Sequence, residues 1–180
     1  MDKNDLRNKY INIRNNIDNK NVKSNIIFNK IINDEVFNSS KVIGIYYSLK
    51  SEVDTHALIE YALDIGKIVC LPKIVKDNMK FYKIDYGTRL KKSKFGVLEP
   101  PSKKENLVTI DDIDLLIVPG VCFDKDRNRI GFGKGYYDKY ISNNYINTIG
   151  LCFSEQIVDY INCDSHDVKI NKVITDTFDY

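Results

Sequence analysis

The sequence predicts an α/β fold: a single layered domain with a mainly parallel sheet flanked by helices. Three observations carry this. Apolar residues near the start recur at three- and four-residue steps, the spacing of an amphipathic helix. Short β-branched runs at residues 41–47, 67–72, 114–119 and 147–153 read as strands, and helical stretches fall between them. The first two of these runs enclose a helical stretch within about thirty residues, the length of a βαβ unit.

Taken in order, Leu6, Tyr10, Ile13 and Ile17 mark a helix over residues 2–18, and Ile26, Ile27, Ile31 and Ile32 mark a second over 22–37. Residues 41–47 form the first strand. Asp54 is placed to cap the next helix, which buries Leu58, Ile59, Ala62 and Leu63 and ends at Gly66. The strand at 67–72 follows, and its crossover from the first strand is expected to be right-handed. Residues 79–84 alternate and suggest a shorter, more exposed strand. The run at 114–119 is apolar after Asp114, as a strand buried on both faces is. A helix over 136–143 and strands at 147–153 and 172–175 complete the reading.

At 180 residues the chain is long enough for one domain with a real core. A net charge of +2 is too small for a polyanion such as nucleic acid to be the main partner. The N-terminal residues are polar and charged, and no apolar run reaches membrane length, so a cytoplasmic protein is expected. Cys70, Cys122, Cys152 and Cys163 form no Cys-x-x-Cys pair and read as small, reduced side chains rather than a zinc site or disulfide framework.

The chemistry concentrates in Arg129-Ile-Gly-Phe-Gly-Lys-Gly-Tyr-Tyr-Asp138. Gly131, Gly133 and Gly135 remove every second Cβ, so the backbone can lie against a ligand and aim N–H groups at an anion. Arg129 and Lys134 add two cations, and the loop runs into a helix N-terminus. Phosphate is the natural guest, although the spacing matches neither a Walker A loop nor a dinucleotide fingerprint. Lys3 and Arg7, four apart on the first helix, share a face and can grip one anion together. Arg14 is a third candidate. In a parallel sheet ligands bind beyond the carboxyl ends of the strands, which places Tyr47 to Glu52 at a ligand mouth.

The Arg-x-Gly-x-Gly-x-Gly-Tyr-Tyr-Asp string, Pro119-Gly120-Val-Cys-Phe-Asp124 before it and Ser165-His166-Asp167 after it together resemble the 5-formyltetrahydrofolate cyclo-ligase family, also called 5,10-methenyltetrahydrofolate synthetase. Lys3-Asn-Asp-Leu-Arg7 matches the family's Lys-x-x-x-Arg opening, and the phrase at residues 95–100 is a partial match. The resemblance covers nearly the whole chain. It implies one cyclo-ligase domain over residues 1–180, in a fold similar to the sugar-phosphate isomerase and CoA-transferase type.

It also implies a reaction in which 5-formyltetrahydrofolate and ATP, with Mg²⁺, give 5,10-methenyltetrahydrofolate, ADP and phosphate. Lys3, Arg7, Arg129, Gly131, Gly133, Lys134, Gly135, Tyr136 and Tyr137 then fall in the ATP site, with Lys134, Arg129 and Tyr136 at the chemistry. Glu52 and Tyr47 contact the folate; Asp138 and Asp167 stand near the metal, while the usual acid four positions later is Asn171 here. The basic segment with Arg89, Lys91, Lys92 and Lys94 is a candidate contact for an anionic folate tail, polyglutamylated or not. No obligate protein partner, nucleic acid or membrane is implied. A sugar-phosphate isomerase or transferase and a non-catalytic phosphate-ligand sensor remain open on the loop alone; the paired aspartates and Lys3/Arg7 favour the ligase.

Overall fold

The first helix, Lys3–Asn15 (α1), starts where the Asp2 carboxylate accepts the Asn4 and Asp5 N–H groups, each at 2.8 Å. The structure, a computed structural model, describes residues 1–94, 96–142 and 144–180. The phrase at 95–100 and the helix expected to residue 143 therefore each include one position outside the described residues.

Two helices, Lys20–Ile32 (α2) and Glu35–Ser39 (α3), replace the single one expected over 22–37. The break has a local cause. Asp34 accepts the N–H groups of Val36 and Phe37 at 2.9 and 3.1 Å, and so begins a new helix. Ile27 and Ile31 are buried as expected, but Ile26 is 40% exposed.

Next come Val42–Ile45 (β1), His56–Asp64 (α4) and Ile68–Val75 (β2). The position before α4 is Thr55 rather than Asp54, yet Asp54 still accepts the His56 N–H at 2.9 Å. Asn78–Ile84 (β3) returns antiparallel along β2, from Val75 opposite Asn78 to Val69 opposite Ile84. It is neither short nor exposed: Met79, Phe81, Tyr82 and Ile84 are buried. Lys76 and Asp77 join the strands with φ of +47° and +60°, the double left-handed geometry of a two-residue hairpin turn. Pro72 is tolerated inside β2 because pairing with β1 reaches only Cys70, so its missing N–H has no partner to lose.

The remaining strands are Lys91–Lys92 (β4), Leu98–Glu99 (β5), Leu107–Val108 (β6), Leu115–Pro119 (β7), Cys122–Asp124 (β8) and Arg129–Ile130 (β9). The short helix Tyr136–Ile141 (α5) precedes Asn147–Leu151 (β10), Ile157–Val158 (β11) and Lys172–Ile174 (β12). The main sheet has seven strands in the order β12-β10-β7-β1-β2-β3-β6. Its first five strands are parallel, and β3 and β6 are added antiparallel. The expectation of a mainly parallel sheet flanked by helices holds.

Side chains alternate between two cores, as strand geometry requires. Leu115 and Ile117 of β7 join Ile43, Val69 and Ile149 beneath α2, α3 and α4. Leu116 and Val118 point the other way, with Phe81, Phe123 and Val173, toward α5. Phe123 lies flat on the sheet only because Gly120 and Gly150 lack side chains; a Cβ there would stand 2.3 and 2.6 Å from its ring. A small second sheet, β11-β8-β9, is covered by Leu6 and Tyr10 of α1. That packing brings the start of the chain to the carboxyl end of β7.

Candidate active site

A cavity of about 790 Å³ opens beyond the carboxyl ends of β1 and β7. One wall is the segment after β1, with Tyr46, Tyr47, Leu49 and Glu52; another is the glycine loop, Gly131 to Gly135, and the start of α5. Lys3 and Arg7 of α1 and Asp164, His166 and Asp167 close a third side. Sequence reasoning found most of these. It missed Pro72, Lys73, Ile74 and Met79 of the β2–β3 hairpin and Ser93 and Val97 between β4 and β5, which extend the cavity. The continuation of β2 past Pro72 brings the first four there. Glu99, which carried no assignment, lines the same end, 3.5 Å from the Ile74 N–H.

The segment after β1 is held rigidly. Ser48 N–H donates to Thr55 Oγ1 and Thr55 N–H to Ser48 Oγ, both at 3.1 Å, while Thr55 Oγ1 donates to the Tyr46 carbonyl at 2.7 Å. Within it Glu52 accepts the Leu49 N–H at 2.8 Å and faces Arg14 Nη1 at 3.4 Å. Glu52 is thus not a solvated loop acid. Its burial raises the carboxyl pKa, and the charge of Arg14 and the Leu49 N–H pull against that rise without overcoming it. Tyr47 is half-buried, its ring 4.1 Å from that of His56. Arg14, expected as a third phosphate ligand, is instead buried beside Glu52 and does not line the cavity. Its place on α1, facing the sheet, puts it on the folate side of the expected site.

On the loop, Gly133 and Gly135 have φ of +91° and +63°, a region L side chains rarely adopt. A Cβ on Gly133 would also press 3.3 Å from the Arg7 guanidinium carbon. Arg7 Nε donates to the Gly131 carbonyl at 2.8 Å, so α1 and the loop are joined directly. Lys134 is exposed and makes no hydrogen bond or ion pair with the described residues. Arg129 is buried, with Nη2 on Asp138 Oδ2 at 2.9 Å and its guanidinium 5.8 Å from the Tyr137 ring centre. Tyr136 and Tyr137 both line the cavity and, with Tyr140, pack against the core on that face of the sheet; the Tyr140 ring lies 5.0 Å from Phe81. Burial holds the Tyr137 phenol far above its ordinary pKa. α5 has only six residues, fewer than expected.

The two expected metal carboxylates are both engaged by cations. Asp138 pairs with Arg129, and its other oxygen accepts the Val168 N–H at 3.2 Å. Asp167 is bound by Lys3, which also reaches Asp164 at 2.6 Å. Lys3 and Arg7 therefore do not converge on one point as their spacing suggested; one meets the acids and the other the loop. Among the described residues, the group whose ligand atoms converge within 4.8 Å is Asp164, His166 and Asp167. Asp164 was not foreseen, although an acid three residues before another in a turn was visible in the sequence. Asn171 is not an absent ligand in waiting: its Oδ1 accepts the Thr148 N–H and hydroxyl, each at 2.8 Å, and ties the start of β12 to β10.

Cys70, Cys122 and Cys152 are buried and only Cys163 is exposed. Burial pushes the Cys70 and Cys122 thiols up to about 12, so neither is a nucleophile at neutral pH. Among the described residues no helix is long and apolar enough to cross a membrane. Lys91 and Lys92 are exposed on the small β4–β5 hairpin.

The fold and cavity define the class: an α/β protein with its ligand pocket at the carboxyl ends of parallel strands, bounded by a glycine loop. The model of the 5-formyltetrahydrofolate cyclo-ligase family matches residues 1–176, and the chain belongs to that family. A curated 5-formyltetrahydrofolate cyclo-ligase of Mus musculus is 31% identical over 84% of this chain and 81% of its own. One of Haemophilus influenzae is 31% identical over 75% of each chain. The solved structure of Aquifex aeolicus 5,10-methenyltetrahydrofolate synthetase superposes with a TM-score of 0.87 at 29% identity, covering 99% of this chain and 92% of the other.

Proposed function

We propose that the protein uses ATP to cyclise 5-formyltetrahydrofolate to 5,10-methenyltetrahydrofolate, with release of ADP and phosphate, in the cavity between Glu52 and the glycine loop. The observation that carries this is the juxtaposition in one pocket of a desolvated carboxylate wall with a cation-bearing loop free of side-chain obstruction. It suits a substrate pair of which one is heteroaromatic and the other a triphosphate.

A formamide carbonyl is a poor electrophile and its oxygen a poor leaving group. Transfer of the γ-phosphoryl group to that oxygen removes both difficulties. N10 then attacks the formyl carbon and gives up its proton to solvent, and the C–O bond breaks to release phosphate carrying the former formyl oxygen. The protein's work is alignment and charge neutralisation, with no covalent intermediate needed. Lys134, unpaired among the described residues and lining the cavity, is the group free to follow the transferring phosphoryl; Arg129 braces the far side of the loop, and Tyr136 lines the same cavity. Arg7 holds the loop backbone, so that the Gly133 and Gly135 N–H groups face the phosphates, and Tyr137 adds to the wall behind them. Lys3 and Arg7 take the remaining phosphates. Glu52 and Tyr47 hold the folate.

Asp138 and Asp167 are oxygen donors, the type Mg²⁺ prefers, and the Val168 contact brings Asp138 beside the segment bearing Asp167. Because Arg129 and Lys3 already occupy them, they fit an ion that arrives on nucleotide phosphates better than a resident one. Bound there, Mg²⁺ supplies neutralisation of phosphate charge. Residues 1–180 act as one domain in this reading, in the cytoplasm, on a mono- or polyglutamylated substrate.

The test is to mix protein, folinate and Mg·ATP and follow the near-ultraviolet band of the methenyl product. Product formation that requires ATP and is abolished by thorough chelation is expected. No product, or full activity without nucleotide, overturns the reading.

A further inference from the structure

Arg14 and Glu52 form the ion pair in which both side chains are most thoroughly buried, 3% and 8% exposed. The cyclisation mechanism uses Glu52 but gives Arg14 nothing to do. A buried guanidinium is costly unless it serves a partner, and this one is poorly served. Its Nε has no hydrogen-bond partner among the described residues, and its reach to the Gly120 carbonyl, like that to Glu52, is long at 3.4 Å. Charge-assisted hydrogen bonds run shorter than this. The interaction is therefore mainly Coulombic, between two charges taken out of water, and such an interaction sets ionisation more than it fixes position. Phe132, at the tip of the glycine loop, lies over the guanidinium 5.1 Å from its carbon and shields that face.

We infer that Arg14 is a positioning residue for the substrate wall: it keeps Glu52 an ionised, acceptor-only carboxylate turned into the cavity. This rests on the proposed folate reaction. Leu49 N–H occupies one lone pair of Oε2, and Arg14 lies beside Oε1, so each oxygen retains acceptor capacity toward the cavity. The matching chemistry on a ligand is a pair of adjacent N–H donors, which the amino-pyrimidinone ring of a reduced folate presents. A protonated Glu52 would set an O–H against one of those donors.

The groups facing Glu52 are few. Arg14 comes from α1, the Tyr46 hydroxyl from the segment after β1 and the Tyr137 hydroxyl from α5; Arg129 stands behind Tyr137. Both phenols stay neutral, so Arg14 supplies the principal opposing charge. Burial already raises the Glu52 pKa with Arg14 in place, and without it only the Leu49 N–H restrains the rise.

The experiment compares wild type, Arg14→Met and Arg14→Lys in two readouts. The first is folinate affinity against pH, without nucleotide. The second is the ¹³C carboxyl titration of Glu52, assigned by its loss in Glu52→Gln. Arg14→Met is expected to move the Glu52 midpoint upward by at least about one unit, since an opposite charge at this range shifts a carboxyl by about one to three. At a pH one unit below the raised midpoint folinate affinity falls by up to about tenfold, and it recovers as pH rises, while Arg14→Lys recovers most of the wild-type midpoint. Superimposable midpoints and affinity profiles in wild type and a folded substituted protein overturn the assignment. If Arg14→Met does not fold, Arg14→Gln, which also removes the charge, carries the same test, and a Glu52 midpoint and affinity profile superimposable on wild type there overturn the assignment. If wild type binds no folinate, the proposed function fails, yet the carboxyl titration still decides whether Arg14 governs Glu52.

Discussion

The two long walls of the cavity are built on opposite terms. On the Glu52 wall every charge is already out of water and already partnered: Glu52 has Leu49 N–H and Arg14, and the backbone around it is locked by Ser48 and Thr55. On the glycine-loop wall Lys134 is exposed and unpaired among the described residues, and Phe132, Gly133 and Gly135 are exposed too. The first wall bears its desolvation cost during folding. The second meets that cost only when a ligand arrives, and part of the ligand's binding energy goes into it. Changes in the first wall therefore register in affinity and stability together, whereas changes at Lys134 leave the fold untouched.

Lys134→Ala is the strongest way to test that contrast. If Lys134 neutralises charge that develops during phosphoryl transfer, turnover falls by roughly a hundred- to a thousandfold, about 3–4 kcal/mol, with the melting temperature unchanged. If the ammonium only holds ATP, the loss appears in the ATP Michaelis constant instead. Lys134→Arg does not restore full activity, because a planar fork does not replace a compact point charge. Wild-type kinetics in Lys134→Ala would remove it from the mechanism.

Glu52→Gln tests the other wall. Loss of a charged acceptor costs roughly 1.5–3 kcal/mol, so folinate affinity is expected to drop about ten- to a hundredfold. ATP affinity stays near wild type, since Glu52 is separate from the loop. Because burial raises the Glu52 pKa even beside Arg14, removing the charge is expected to raise the melting temperature slightly at neutral pH. Calorimetric titration with each ligand checks both halves. Equal losses for ATP and folinate would erase the distinction between the walls.

Gly133→Ala lies between these extremes, because the loop conformation itself is fixed during folding. At φ of +91° a side chain is strained by about 1–2 kcal/mol, and its Cβ would push on the Arg7 guanidinium. A modest drop in melting temperature with a raised ATP Michaelis constant is expected. An unchanged melting temperature would mean that the loop adapts freely.

The parts of this molecule legible in the sequence are those governed by local pattern. The strands at residues 42–45, 68–75, 115–119 and 147–151 announced themselves by β-branched runs, and the glycine loop by its spacing. The break between α2 and α3 was missed because apolar periodicity ran on across Asn33–Asp34, although an aspartate two residues before Val36 is an N-cap signal. The β2–β3 turn was hidden since Lys76-Asp77 lacks the glycine such turns favour. In the site, Glu52, Tyr47, Lys134, Asp138 and Asp167, all singled out in the sequence, line one cavity. What stayed invisible was which cation meets which acid. Arg14 on Glu52, Lys3 on Asp167 and Arg129 on Asp138 are contacts between distant segments, fixed by how α1 packs on the small sheet rather than by any spacing.

The smallest expected effect joins both walls through pH. Lys3→Met breaks the contacts to Asp164 and Asp167. Partial burial alone would lower the Lys3 pKa and raise that of Asp167, but their hydrogen bonds and mutual charge reverse both: Lys3 is raised and Asp167 lowered. For the lowered carboxyl, the stabilisation is present above its unfolded value near about 4 and is lost as pH falls through the folded one. For the raised ammonium, it is present below about 10.4 and is lost as pH rises past that through the folded value. Between those limits the pair contributes a constant amount, no more than about 1 kcal/mol at a partly exposed site. Glu52 has the opposite sign. Its folded pKa is raised, so the folded state binds the proton more tightly, and stability falls as pH rises from about 4.3 through the folded value. Melting temperatures followed from about pH 4 to about pH 8 separate the two. The gap between wild type and Lys3→Met stays flat across that range, while the gap between wild type and Glu52→Gln changes steadily, wild type losing ground toward higher pH. Parallel lines for both variants would mean that Glu52 is no more desolvated than Asp167, and the difference between the two walls would disappear.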